Sequence, residues 1–187
     1  MDKRLFLSLV LIYITACSTK PEVKKLNGDN LPKFSYVDSL HTAKTVNCAS
    51  RKAKECMACA LQGEAANQPA RGMYAVGVTI MTRAKGKLSR ICSVTKARRQ
   101  FEGMKRRGKR KISKKVWKVT QHIINSKETG WTHFWAPRTQ RKLKRRKPAW
   151  AHVFEKRKCK RRRIGGHIFF NINQCKFDRR MRLNAQN

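Results

Sequence analysis

The stretch GMYAVGVTIMTRA, residues 72–84, places Met73, Val76, Gly77, Ile80 and Ala84 on one helical stripe, with more apolar residues beside it. A helix apolar over so much of its circumference is expected to be central and buried. Working outward, residues 51–62 read as a first helix. Residues 116–125 read as a third, with Val116, Val119, Ile123 and Ile124 facing the core and Lys114, Lys115 and Lys118 outside. Residues 131–135 and 167–172 are short runs rich in aromatic and β-branched side chains, which read as strands. Helices followed by a small β-sheet predict an α+β class, mainly helical.

A chain of 187 residues has the length for one domain with appendages. Residues 1–16 read as an export signal: a charged start at Asp2, Lys3 and Arg4, then an apolar run over 5–14 that is too short for a membrane span. The run ends in Ile14-Thr15-Ala16-Cys17. This resembles the bacterial lipobox, which implies lipidation of Cys17, and Ser18 implies sorting to an outer membrane. Residues 17–47 are polar and contain two prolines, so they read as a lipidated, flexible membrane tether leading to a domain over 48–187.

Six further cysteines, at 48, 56, 59, 92, 159 and 175, make an even set in an exported chain. That argues for disulfides, with fifteen pairings open. Cys56-x-x-Cys59 has no second such pair beside it, so a structural bridge is a better reading than zinc or redox chemistry.

Glu64, in LQGEAANQPARG (61–72), has no Lys or Arg within six residues on either side, although the chain holds 46 of them against 10 acids. A carboxyl in a poorly solvated, small-residue setting is suited to general acid chemistry. Three stretches extend this: QGEAANQPARGMYAVGVTIMTR (62–83), TGWTHFWAP (129–137) and IGGHIFFN (164–171), with RRQF (98–101) and PAWA (148–151) between them. Taken in order over residues 53–172, the series resembles the catalytic domain of the SleB/CwlJ-type cell-wall hydrolases. That family shows a Gly-Glu-Ala start, a helix ending in Asn- or Thr-Arg, a Gln-Phe element, a Thr-His strand, a Trp-Ala and a final Ile-Gly-x-His-x-Phe. Trp131 and Trp135 depart from the residues usual in relatives.

The resemblance implies a compact lysozyme/transglycosylase-like domain that cleaves peptidoglycan glycan strands, with Glu64 as the catalytic acid. It implies groove positions for Gln100, Phe101, Thr132, His133, Phe134, Trp135 and His167. No cofactor is implied. A metal would need a third ligand beside His133 and His167, and no short His/Asp/Glu cluster supplies one. His41, His122 and His152 read as surface or core residues.

The acid inventory bears on mechanism. Ordinary glycosidases use two carboxylates flanking the bond. Glu55 lies nine residues before Glu64, on the opposite face of a continuous helix. Glu128, Glu155 and Asp178 sit in polar or charge-rich stretches, which leaves Glu102 as the one candidate partner. A single-carboxylate transglycosylase fits this shortage. The alternatives are muramidase hydrolysis using Glu102, and a noncatalytic wall- or polyanion-binding lipoprotein.

The net charge of +36 is concentrated in residues 98–118 and 138–163. Such density predicts an anionic contact. The export signal turns the expected partners from nucleic acid to membrane or lipopolysaccharide phosphates and peptidoglycan carboxylates.

Overall fold

The computed structural model describes Pro32 and residues 42–98, 100, 101, 104 and 108–176. Cys17, Glu102 and Asp178, together with the signal and most of the tether, lie outside the described residues.

The core is built from helices α1 (Ala53–Glu64), α2 (Ala70–Arg83) and α4 (Lys114–Ser126), with the short α3 (Ile91–Lys96) packed on α1 and α2. Helix α2 is the central element its apolar stripe predicts, with every residue from Gly72 to Met81 buried. It crosses α4 closely at Gly77, where an added Cβ would lie 2.0 Å from Ile123 Cδ1. Helix α4 opens on Ser113, whose hydroxyl accepts a hydrogen bond from the Val116 amide at 3.3 Å. It closes on Lys127 in the left-handed region, φ 50°. Tyr74 of α2 donates to Glu128 Oε2 at 2.6 Å, fastening α2 to the chain just past α4.

Two small antiparallel sheets complete the α+β fold. Strand β1 (Thr42–Asn47) pairs with β2 (Lys109–Ser113). The second sheet has the order β3-β5-β4, with β3 at His133–Trp135, β4 at Lys160–Ile164 and β5 at His167–Asn171. The turn from β4 to β5 is Gly165-Gly166, with Gly165 at φ +59°. Helices α5 (Pro137–Lys142) and α6 (Ala149–Lys156) lie between β3 and β4 in the chain. Across β5, Phe169 enters the main core while Phe170 meets Trp150 and Phe154 of α6.

The structure differs from the sequence reading at several points. Thr42–Asn47, read as tether, is a strand, because its backbone finds a long-range partner in β2 that no local pattern announces. Lys115 is buried, although its charge suggested the outer face of α4. Helix α1 runs two residues beyond 62 and so includes Glu64. Residues 131 and 132 precede the strand proper. The six cysteines form Cys48–Cys59, Cys56–Cys92 and Cys159–Cys175, so Cys56-x-x-Cys59 joins neither to itself nor to a metal. No helix among the described residues is long and apolar enough to cross a membrane.

Candidate active site

The end of α1 and the loop after it form one wall of a cleft of about 660 Å³, and Arg83, Gln100, β3, α5 with the turn after it, Trp150 of α6 and His167 of β5 contribute the rest. Glu64 is the last residue of α1, half-buried and on this wall. A helix C-terminus carries partial negative charge, an unfavourable place for a further anion. The small neighbours Gly63 and Ala66 line the cleft beside it.

No other carboxylate among the described residues lines the cleft. Glu55 begins the same helix, and nine residues of rise place it about 13 Å away along the axis. Glu128 accepts from Tyr74. Glu155 accepts from Lys147 and from Arg161 (2.9 Å), and the Lys147 hydrogen bond is the main reason its carboxyl titrates below the usual range.

Of the predicted groove residues, Gln100, His133, Phe134, Trp135 and His167 line the cleft with Glu64. Phe101 and Thr132 do not. Phe101 is buried behind the wall, its ring 6.2 Å from that of Phe134. Thr132 is buried with its hydroxyl donating to the Phe170 carbonyl at 3.0 Å and accepting from the Ile172 amide at 3.1 Å. It clamps the chain entering β3 to the end of β5. Neither residue lies in a strand: Thr132 just precedes β3 with its hydroxyl bonded to β5 and the residue after it, and Phe101 packs into the core.

Both cleft histidines are held neutral. Burial lowers His133 to about 4, with the nearby Arg83 charge adding to the effect. Burial alone lowers His167 to about 4. The His133 ring packs beside Trp150 (5.1 Å) and Phe154 (4.9 Å), and the His167 ring stands edge-on to Phe134 at 5.3 Å. Nδ1 of each ring and Nε1 of Trp135 are buried without a hydrogen-bond partner. Trp131 Nε1 and Thr120 Oγ1, away from the cleft, are likewise buried without a partner, and such groups are costly to leave unpaired.

Arg83, Gln68 and Trp150 join the cleft without having been assigned to it from the sequence, although Trp150 stands in the Trp-Ala motif. Arg83 Nε donates to the Thr132 carbonyl at 2.9 Å and Nη1 donates to Gln100 Oε1 at 2.6 Å. One guanidinium thereby fixes the chain into β3 and the Gln-Phe element together. The Thr-Arg ending of the second helix motif was its signal. Gln68 had none: its Oε1 accepts from the Gly166 amide at 2.6 Å, and a Cβ on Gly165 would lie 2.8 Å from the same oxygen. The left-handed backbone of Gly165 (φ +59°), with Pro69 Cδ 3.2 Å from an added Cβ, favours glycine in this turn. Among the described residues, no three His, Cys, Asp or Glu side chains come together as a metal site.

The sequence profile of the family described as Cell Wall Hydrolase matches residues 67–170, which is 104 (170 − 67 + 1) of 187 residues. The chain belongs to the cell wall hydrolase family. It is an enzyme of the cell envelope that acts on peptidoglycan. The matched span includes Arg83, Gln100, His133, Trp135 and His167, and Glu64 stands three residues before it. No curated protein and no solved structure matches the chain.

Proposed function

We propose that this cell wall hydrolase is a lytic transglycosylase that cleaves the bond between N-acetylmuramic acid and N-acetylglucosamine with Glu64 as its single catalytic carboxyl. The observation that carries the reading is the carboxylate inventory: among the described residues Glu64 alone lines the cleft. In the first half of the reaction the Glu64 carboxyl gives its proton to the glycosidic oxygen as the C1–O bond breaks. The resulting carboxylate then takes the proton of the muramic 6-hydroxyl as that oxygen bonds to C1. Glu64 ends reprotonated, no water is consumed, and the product is a 1,6-anhydro sugar. The neutral His133 and His167 rings and the faces of Trp135 and Trp150 offer hydrogen bonds and stacking to sugar without adding a competing acid.

Mass spectrometry of fragments released from purified peptidoglycan tests this. Anhydromuramic ends are expected from the wild type. Glu64→Gln is expected to lose at least about 10² to 10⁴ in rate, because one group acts as both acid and base. Reducing ends, together with an inactive Glu102→Gln, would establish muramidase hydrolysis instead. Near-normal cleavage by Glu64→Gln would remove this mechanism, and wall binding with no cleavage by the wild type would favour the noncatalytic reading.

The same proposal places the enzyme on a membrane facing the wall. The support is the Ile14-Thr15-Ala16-Cys17 sequence, with Cys17 as lipid attachment and Ser18 pointing to the outer membrane. The exposed Lys156, Arg157, Lys158 and Lys160 suit anionic lipid or lipopolysaccharide beside that anchor.

A further inference from the structure

We propose that the basic rim over residues 138–147 is a subsite for the carboxylates of the peptide stems carried by the glycan strand, making acidic, peptide-bearing strands the preferred substrate. The proposal rests on the cleft being the glycan-strand site.

Helix α5 and the turn after it supply Thr139, Gln140, Leu143 and Pro148 to the cleft wall. Their cationic neighbours belong to the same short helix and turn, just outside the residues that line the cleft. Residues 138–147 contain seven Lys or Arg and no acid. Lys147 turns inward, bonded to Glu155 and 5.8 Å from the centre of the Trp135 ring. The others, Arg138 to Arg146, are exposed. A left-handed residue at Lys144 (φ 50°) turns the chain back, and the Arg145 amide donates to the Gln140 carbonyl at 2.9 Å. The cations are thus displayed on a fixed turn rather than a free arm. The nearest described acid in the chain, Glu155, is engaged by Lys147 and Arg161, so within the rim it offsets Lys147.

A sugar chain inside the cleft gives these cations nothing anionic to meet. The peptide stems do, because they leave the muramic lactyl groups and carry free carboxylates alongside the strand. Leu143, half exposed at the same lip (51 %), offers apolar surface to a peptide rather than to a sugar hydroxyl. Continuity with the cleft is the reason to assign the rim to the wall rather than to a lipid surface.

The test compares soluble, peptide-bearing glycan strands with the same strands after their carboxylates are converted to amides by carbodiimide and ammonia. Individual exposed ion pairs contribute little, so a set of several is expected to give roughly a tenfold fall in kcat/KM on amidation at low salt, shrinking as salt is added. The joint variant Arg141→Gln, Lys142→Gln, Lys144→Gln and Arg146→Gln is expected to bring the ratio of the two substrates near one. Removing equal charge elsewhere, with Lys109, Lys111, Lys114 and Lys118 all changed to Gln, is expected to preserve it. Equal cleavage of both substrates by the wild type overturns the subsite and needs no variant. So does an equal loss of preference in the second variant, or a rim variant that loses only its binding to phosphatidylglycerol vesicles. Failure to cleave either substrate overturns the glycan-cleavage reading instead.

Discussion

Replacing Arg83 with Met tests whether one guanidinium holds the cleft together. The substitution keeps an unbranched stem and removes two charge-assisted hydrogen bonds, to the Thr132 carbonyl and to Gln100 Oε1. Bonds of this kind contribute about 1.5–3 kcal/mol each. Gln100 is exposed and water replaces its partner, so the larger loss is at Thr132, which is buried. The guanidinium lies 5.6 Å from the centre of the Phe101 ring, a contact that adds a fraction of a kcal/mol. Against this, burial already lowers the Arg83 pKa, so a neutral side chain recovers part of the desolvation cost. The net is a destabilisation of about 1–2 kcal/mol, a fall in Tm of roughly 3–10 °C for a domain of this size. A second readout is specific to the cleft. Burial is the larger cause of the low His133 pKa and the Arg83 charge the smaller. His133 in the variant is therefore expected to titrate above 4 and still below 6.5, as followed by its ring proton shifts in NMR. Activity on peptidoglycan is expected to fall more than stability accounts for, because Gln100 and the chain into β3 lose their common tether. An unchanged Tm and an unmoved His133 titration would refute this account of Arg83.

Gly77→Ala gains about 1 kcal/mol of helix propensity but drives a methyl into the buried Ile123, so a net loss of about 1–2 kcal/mol is expected in urea unfolding. Ile123→Val removes the offending Cδ1, and the double variant is expected to be more stable than the two single changes sum to; simple additivity contradicts the packing account. The two cleft histidines stay neutral in the fold down to about pH 4, whereas an unfolded chain protonates them near 6.5. Their contribution is therefore intact above pH 6.5 and lost as pH falls towards 4, and His167→Gln should flatten this part of the stability profile; parallel profiles for variant and wild type would show that His167 is not responsible. Cys17→Ser is expected to abolish labelling by a fatty-acid probe in cells, and equal labelling of both forms would end the lipid-anchor reading.

Much of this protein was legible in the chain itself. The apolar stripe of residues 72–84 determined that α2 is buried, and the 3.6-residue spacing of Val116, Val119 and Ile123 determined which side of α4 faces the core. The isolation of Glu64 among small residues, with Gln100, His133, Phe134, Trp135 and His167 in ordered motifs, pointed to the groups that share the cleft. Periodicity reports how each residue faces its own element, and it is silent on what that element meets. Tertiary structure alone chose one cysteine pairing of fifteen and recruited Thr42–Asn47 into a sheet with β2. It also turned Thr132 and Phe101 away from the cleft while bringing Arg83 and Gln68 into it. The Gln68–Gly166 hydrogen bond spans 98 residues and depends on a glycine turn arriving within contact of a helix-connecting loop. Such a meeting is set by how whole elements pack, because the short-range steric preferences written along the chain act over only a few residues.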